Sequence, residues 1–307
     1  MNQHRVFACV PTYCEPQKVA ELIQSFRCVR YRPFELFIIN ANSGDQTSNI
    51  ISIEKSLVEF EINEISGVAT EFWSATVNRG LRQIVQKAEE EDWVLLMNVD
   101  VKFKLDIISL LMCKALEQGY CQIGALGIAN GHVISSGVKV KSWLLTLTQH
   151  PLAGFNINKV PDDLLIPVDY LPGRCMLFPV KCISQVGLIA NKLLPHYGAD
   201  YEFSRRLAKS NCLPYLYSDA RVESDIKNTG KSVFASTMSL RERLSNLMII
   251  KNPSNPKYRI NFVFMTYPGY AIPTAIILYL IRTLLETCLG GDKLQKLFDN
   301  KERGFSK

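Results

Sequence analysis

Short apolar runs alternate with amphipathic helical segments through the first hundred residues of the chain. Four runs have the length of β-strands, at 5–10, 34–40, 61–66 and 93–101, and the first, second and fourth are rich in Val, Ile, Leu and Phe. A long helical pattern starting at Trp73 separates the last two. Strands that are apolar on both faces and alternate with helices are typical of a mostly parallel sheet covered on both sides. We therefore expect an α/β fold.

Length and charge narrow the class of protein further. The chain has 307 residues, enough for a full core, and 47% of them are hydrophobic. Its formal net charge of +6 is modest, and the Lys and Arg residues are scattered rather than gathered into a stripe with aromatic residues. Since nucleic-acid-binding surfaces are strongly and locally basic, we expect no nucleic acid partner.

The cysteines and the N-terminal sequence indicate where the protein works. Nine cysteines occur without a CxxC pair, a pattern typical of reduced, partly buried thiols in a cytosolic protein. The apolar residues 6–10 stop at Pro11, well short of the roughly 7–15 residues of a signal-peptide core. We expect a cytoplasmic protein.

Polar residues follow three of the four predicted strands. Residues 11–13 (PTY) follow the first, residues 40–47 (NANSGDQT) the second, and Asn98 and Asp100 the fourth. Because the carboxyl ends of parallel strands meet at one edge of a sheet, where ligands bind, these clusters should lie close together. Each alone could be a turn or a cap, with Asp45 capping the next helix. Three of them at the correct strand ends favour a binding site.

A second group of polar residues lies in 193–207 (LLPHYGADYEFSRRL), which reads as a loop followed by a helix starting near Ala199. Glu202 is one turn before Arg206 and can pair with it on a solvated face. Asp200 has no such partner in the sequence. A carboxylate in the first helical turn is either a structural cap or a base held ready for a proton, and this stretch alone favours the cap.

In this order the motifs resemble those of nucleotide-sugar glycosyltransferases of the GT-A fold, specifically family 2, an inverting group. PTY resembles the family's opening motif, and IINANSGDQT resembles its V-D-N-G-S-T-D-G-T turn. EFWSATVNRGL resembles the Asn-Arg-Gly helix, and LLMNVDV an L-L-N-P-D form of the DxD motif. PGRCMLFPVKCISQVG and HYGADYEFSRRL resemble the acceptor-side strand and the E-D helix. The match covers roughly residues 5–230 and implies a Rossmann-like GT-A domain over residues 1–230.

The resemblance implies a metal-dependent inverting transfer of a sugar from a UDP- or dTDP-type donor to a saccharide or lipid-linked acceptor, in cell-surface polysaccharide synthesis. Asp100 would hold Mn²⁺ or Mg²⁺ at the donor diphosphate, and Asp200 would take the proton of the acceptor hydroxyl. The resemblance thus favours a role for Asp200 as a base over a role as a helix cap. The implied donor-binding residues are Pro11, Thr12, Tyr13, Asn40, Asp45, Arg79 and Asn98. The implied acceptor or sugar pocket contains Gly173, Arg174, His196 and Glu202.

Several of these residues have other readings. Arg79 could instead pair with residues 89–92 or be solvated, and His196 could be a packed loop residue. Asn40 and Ala199 stand where the family pattern has acids. The alternative function is therefore a non-catalytic nucleotide- or glycan-binding scaffold of the same fold. A nucleotidyltransferase is less favoured, because PTYCEPQK lacks the Gly-rich basic loop that cradles a triphosphate.

The C-terminal third contains an uncharged run, Phe262–Ile281, of about the 20 residues that span a bilayer. Prolines and a glycine at 268–269 and 273 interrupt it, and Arg259 and Arg282 flank it. We expect residues 231–307 to be a helical extension whose apolar run lies in a membrane interface, with a spanning helix and a buried packing helix as alternatives. The protein would then be peripheral at the inner face of the membrane.

Overall fold

The structure is a computed structural model, and it describes residues 4–42, 44–224 and 238–290. In these residues the strands are β1 (Val6–Thr12), β2 (Phe34–Asn40), β3 (Glu61–Ser66), β4 (Trp93–Met97), β5 (Val101–Lys102), β6 (Gln122–Ala129), β7 (His132–Ser135), β8 (Lys139–Ser142), β9 (Leu147–Gln149), β10 (Leu165–Pro167), β11 (Cys175–Pro179) and β12 (Pro214–Ser224). The helices are α1 (Pro16–Ser25), α2 (Thr47–Lys55), α3 (Trp73–Lys87), α4 (Ile107–Glu117), α5 (Lys181–Val186), α6 (Ala199–Lys209), α7 (Leu240–Asn246), α8 (Pro256–Thr266) and α9 (Ile272–Leu289).

One large mixed sheet organises the fold, in the strand order β10-β12-β6-β11-β4-β1-β2-β3. The run β4-β1-β2-β3 is parallel, and β6 is parallel to β12. Strand β11 is antiparallel to both β4 and β6, and β10 is antiparallel to β12 at the edge. Strand β5 pairs with β12 and β7 with β6, whereas β8 and β9 form a separate hairpin. The expected α/β fold with a mostly parallel sheet is confirmed.

Strand β1 shows why the sheet is covered on both sides. All seven of its residues are buried. Val6, Ala8 and Val10 pack into one hydrophobic cluster with α1, α2 and α4, and Phe7 and Cys9 into another with α3, α5 and α6. Because side chains alternate between the two faces of a strand, a strand that is apolar throughout requires helices on both faces.

The fourth predicted strand is shorter than expected. Strand β4 ends at Met97, and a turn over residues 99–100 leads into β5, which pairs with β12 rather than continuing beside β1. The Asn98 backbone N–H still donates to the Arg174 carbonyl at 3.2 Å, which extends the pairing with β11 by one residue before the turn. Asp100 therefore lies in a turn at the carboxyl end of β4.

The C-terminal helices pack on the sheet domain through α6. Phe262 of α8 lies against Gly198, where an added Cβ would be 3.1 Å from the Phe262 ring. Gly198 also has a φ of 77°, so both its conformation and this contact require glycine. Arg259 and Glu286 form an ion pair of 2.8 Å that joins α8 to α9. The predicted domain boundary near residue 230 lies outside the described residues and stays a prediction.

Candidate active site

A cleft of about 480 Å³ opens at the carboxyl ends of β1 and β4. Six of the residues predicted for the site line it, namely Pro11, Thr12, Tyr13, Asn98, Asp100 and His196. Their convergence follows from the parallel pairing of β1 with β4, which brings the two strand ends to the same edge.

Asp100 is the carboxylate placed to meet a cation in this cleft. It lines both the cleft and a second cavity of about 490 Å³, which it shares with Lys102 and Glu223. Within the part of the chain that the structure describes, no hydrogen bond or ion pair engages its side chain. A half-buried carboxylate without a protein partner can accept a ligand without first breaking an internal contact.

The residues at the cleft fit a divalent metal held together with a nucleotide. No group of three or more His, Cys, Asp or Glu side chains with metal-site geometry occurs among the described residues. Mg²⁺-type sites on nucleotides need only one or two carboxylates, because phosphate oxygens and waters complete the shell. Asp100 meets that requirement. The amide oxygen of Asn98 is less available, since it accepts a hydrogen bond from Trp73 Nε1 at 3.1 Å.

Thr12 offers a hydroxyl at the base of the cleft. It ends β1 and is only 4% exposed. Its Oγ1 has no hydrogen-bond partner in the residues described. Since buried hydroxyls are normally hydrogen-bonded, this one is available to a polar group of a ligand or to water in the cleft.

Asn40 and Asp45 do not line this cleft. Asn40 is buried at the end of β2, and its amide donates to Ser48 Oγ at 3.2 Å and to Glu64 Oε1 at 3.1 Å. Asp45 accepts from the Thr47 backbone N–H at 2.9 Å, at the start of α2. The structure thus shows both residues in local bonds that shape the loop after β2.

Arg79 also lies off the cleft wall. Its guanidinium donates two hydrogen bonds to Glu71, from Nε at 2.6 Å and from Nη2 at 2.8 Å. Helical side chains lean toward the N-terminus of their helix, so Arg79 reaches back along α3 to Glu71, two residues before the helix begins. The alternative partner region 89–92 is not its partner. The carboxylate of Glu71 itself borders the cleft, so the pair forms part of its rim.

Asp200 lies in the first turn of α6 and is held by two backbone donors. Its Oδ2 accepts from the Gly173 N–H and its Oδ1 from the Tyr201 N–H, both at 2.9 Å. Burial raises the pKa of Asp200 above its ordinary value, although these hydrogen bonds and the charge of Arg174 oppose that rise. A carboxylate with a raised pKa and no closed ion pair has the character of a general base.

Trp73 connects Asp200 to the cleft. A Cβ added at Gly173 would lie 2.9 Å from the Trp73 ring and 3.1 Å from Asp200 Cβ, so both close on the same glycine. The Trp73 ring lines the cleft and its Nε1 bonds Asn98, whereas Asp200 is not itself a lining residue. Trp73 therefore borders the cleft that Asp100 lines and also lies beside Asp200, which is set back from the opening.

Two predicted pocket residues beside Asp200 have different surroundings. Arg174 is half-buried next to Gly173, and its Nη1 has no hydrogen-bond partner in the part of the chain described. Glu202 is 1% exposed and accepts two hydrogen bonds from Arg206, at 2.7 and 3.1 Å. Glu202 is therefore sealed in a buried ion pair and is not brought to the cleft, because helical spacing turns it to the core rather than to solvent.

His196 lines the cleft as a neutral side chain. Burial, followed by the nearby charge of Lys251, lowers its pKa to about 4. Its ring packs edge-on against Tyr197, with 4.7 Å between ring centroids. At neutral pH this imidazole therefore offers hydrogen bonds but no positive charge.

Glu71, Trp73 and Lys251 are among the cleft residues that were not predicted from the sequence. Glu71 and Trp73 lie in the EFW that opens the α3 motif, so the aromatic residue at the start of that helix was the available signal. Lys251 comes from the C-terminal helical region and had no signal of this kind.

Comparison with known proteins identifies solved structures that share this fold. No protein-family model matches the chain, and no curated protein matches it in sequence. Among solved structures, the mannosyltransferase PcManGT from Pyrobaculum calidifontis, in complex with GDP-Man and Mn²⁺, matches 99% of this chain and 81% of its own, with 12% identity and a TM-score of 0.54. GalNAc-T7 with UDP, GalNAc and Mn²⁺ matches 89% of this chain with 11% identity and a TM-score of 0.59. The fold is GT-A.

A third GT-A structure, S. aureus TarS 1–349 in complex with UDP, covers 90% of this chain and 70% of its own, with 14% identity and a TM-score of 0.50. This chain spans only 54% of GalNAc-T7. At these identities the likeness establishes the fold alone, and membership of family 2 stays a prediction. In this GT-A fold, the cleft at the ends of β1 and β4 is the candidate donor site.

Proposed function

We propose that the chain is a metal-dependent inverting glycosyltransferase of family 2. It moves a sugar from a UDP- or dTDP-type donor to a saccharide or lipid-linked acceptor in cell-surface polysaccharide synthesis. The observation that carries this proposal is the Asp100 carboxylate, which lines the cleft of a GT-A fold without an ion-pair partner among the described residues. The neighbours named above, which were solved with nucleotides and in two cases with Mn²⁺, support it.

The donor nucleotide would lie along the end of β1. Tyr13 is 46% exposed at the cleft and offers a ring face for the base. Thr12 Oγ1 and the Asn98 amide group offer hydrogen bonds to ribose or phosphate. Asn40 and Asp45 would act through the shape of the loop after β2, given the internal bonds they make.

Asp200 would act on the acceptor. Its carboxylate takes the proton of the acceptor hydroxyl as that oxygen bonds to the anomeric carbon, while the bond to the nucleoside diphosphate breaks on the opposite side. A divalent metal bound at Asp100 would neutralise the charge that develops on the leaving diphosphate. Gly173 and Tyr201 hold Asp200 in a fixed orientation through their N–H groups. Arg174 and His196 would contact the sugar or the acceptor.

A thermal-shift screen tests the function. We expect UDP- or dTDP-sugars to raise the melting temperature in the presence of Mn²⁺, because a ligand that binds only the folded state stabilises it. The same nucleotides with a chelator are the control, and sugar-nucleotide turnover is measured in parallel. Stabilisation without turnover across a broad donor and acceptor panel would favour the scaffold alternative. No stabilisation by any nucleotide would exclude both functions.

The C-terminal helix α9 supports membrane association. One helix of the described residues, Gly269–Leu289, is long and apolar enough to cross a membrane. An 18-residue stretch of it has a mean hydropathy of 1.6, and 22% of that stretch is buried. Its buried residues are small or polar, Ala275, Thr283, Glu286 and Thr287. Ile272, Ile276 and Tyr279 pack against a small buried cluster, but the other large apolar residues of α9 are mostly exposed, and Leu284 is 63% exposed. A helix that packed on a soluble protein would show the opposite arrangement.

We propose that α9 lies in the membrane interface rather than across it. Arg259 of α8 forms an ion pair with Glu286 of α9 and ties the two helices side by side, whereas Arg282 pairs with Glu286 within α9 itself. The β8–β9 hairpin would add to the same surface, since Trp143 packs on Tyr267 at 4.9 Å between ring centroids. Neither 131–161 nor 257–285 contains Asp or Glu. An anionic lipid surface at the cytoplasmic face matches this charge.

A flotation assay with vesicles containing anionic lipid tests the membrane proposal. We expect Leu284→Asp to lower the partition constant for vesicle binding by about tenfold or more, because burying a leucine is worth about 1.5–3 kcal/mol. Leu57→Asp is the matched control, since Leu57 is 60% exposed, compared with 63% for Leu284. Equal flotation of both variants and the unmodified chain would contradict the assignment of α9.

A further inference from the structure

Lys251 enters the candidate donor cleft from the C-terminal helical region. It lies in the segment between α7 and α8, and it lines the same cleft as Asp100 and Thr12. Its ammonium lies 5.6 Å from the centroid of the Tyr13 ring. A residue some 150 positions beyond Asp100 thus borders the same cavity.

The backbone around Lys251 is fixed by buried polar side chains. Asn252 is 1% exposed and donates to the Asn246 carbonyl at 2.9 Å. Asn255 is also 1% exposed, and it caps α8 by accepting from the Lys257 N–H at 3.0 Å. Ser254 Oγ donates to Glu286 of α9 at 2.5 Å. Lys251 is therefore held in place by the packing of the whole helical region, and only its side chain is free to adjust.

The other basic side chains that line the cleft or its rim are paired with a carboxylate or uncharged. Lys18 pairs with Glu15 at 2.5 Å, and Arg79 pairs with Glu71. His196 is uncharged at neutral pH, as described above. Lys251 makes no ion pair with any residue of the described ranges. It is the cation that a negatively charged ligand in this cleft would meet.

We propose that Lys251 binds the diphosphate of the nucleotide donor. A lysine ammonium is a compact charge with three donors, well suited to phosphate oxygens. With a nucleobase at Tyr13 and a metal at Asp100, the diphosphate would lie between these two residues. Lys251, which lines the same cleft, would then be within reach of it. The assignment rests on the proposed function, and it makes the C-terminal region part of the donor site rather than only an anchor.

Calorimetric titration of the full chain with UDP and with uridine tests the assignment. We expect Lys251→Met to weaken UDP binding by about tenfold or more, which is the effect of losing a charged hydrogen bond, and to leave uridine binding unchanged. Lys251→Arg should restore most of the UDP affinity. The matched control is Lys257→Met, because Lys257 is an exposed lysine in the first turn of α8, close in sequence, that does not line the cleft. Thermal unfolding of each variant establishes that it is folded.

The outcomes separate this inference from the proposed function. If the unmodified chain binds UDP and Lys251→Met binds it equally well, Lys251 does not contact the diphosphate, although the proposed function stands. If Lys251→Met weakens UDP and uridine alike, its role is to support the Tyr13 ring, and the inference is overturned. If the unmodified chain binds neither UDP nor dTDP, the proposed function itself fails.

Discussion

Replacing Asp200 with Asn is expected to lower kcat for sugar transfer by about 10²–10⁴-fold, the range that a positioned general base contributes. Asn has nearly the same shape, so it can still accept the backbone hydrogen bond from Gly173, but it cannot take a proton. UDP affinity should be unchanged, because Asp200 does not line the cleft. Steady-state kinetics with a saturating donor and calorimetric titration with UDP measure the two effects separately.

The pH dependence gives an independent check on Asp200. Only the ionised carboxylate can accept a proton, and burial raises its pKa above the ordinary value. Turnover should therefore rise with pH as Asp200 deprotonates through that raised pKa, and level off above it. Asp162→Asn is the matched control, because the Asp162 side chain is 89% exposed, pairs with Arg221 at the surface and does not line the cleft. An Asp200→Asn variant with full activity would remove Asp200 from the mechanism.

Replacing Asp100 with Asn should produce a different defect. We expect kcat/KM to fall by at least about 100-fold, because metal stabilisation of a leaving diphosphate is worth several kcal/mol and about 1.4 kcal/mol corresponds to tenfold. The strengthening of UDP binding by Mn²⁺ should also be lost, since Asp100 lines the cleft and its carboxylate has no protein partner among the residues that the structure describes. Calorimetric titrations of UDP with Mn²⁺ and with a chelator measure this directly.

The two variants should separate cleanly. Asp200→Asn should keep the Mn²⁺-dependent gain in UDP affinity, whereas Asp100→Asn should bind UDP as the unmodified chain does in the presence of a chelator. The Asp162→Asn control should match the unmodified chain in both assays. If Asp100→Asn retains the Mn²⁺ effect, the metal is held by other groups and Asp100 has another role.

Much of the sheet could be predicted because its central strands are apolar on both faces. Strands β1, β2 and β4 carry this pattern in the sequence, and their pairing follows from α/β topology. Helix α4 and strand β12, in contrast, are not evident from the sequence pattern. Helix α4 is apolar over most of its surface, so its periodicity is weak. Strand β12 has a register shift between Tyr217 and Arg221, which interrupts the alternation of a regular strand.

The site was predictable where it follows from strand ends. The carboxyl-edge rule placed Thr12 and Asp100 together, and both line the cleft. The surroundings of Asn40 could not be read in the same way, because its partners Ser48 and Glu64 come from separate elements. Lys251 was out of reach for a similar reason, since only tertiary packing brings the segment after α7 to β1.

The ion pair between Arg259 and Glu286 has a consequence for how the protein would meet its acceptor. It joins α9, the helix proposed to lie in the membrane interface, to α8, whose Phe262 lies against Gly198, two residues before Asp200. A protein bound to a bilayer through these two packed helices would keep the Asp200 carboxylate at a constant height and orientation above the lipid. The protein and a membrane-bound acceptor would then meet by diffusion in two dimensions. The active site would already be oriented toward the acceptor before they meet, and the glycan would grow at the membrane surface.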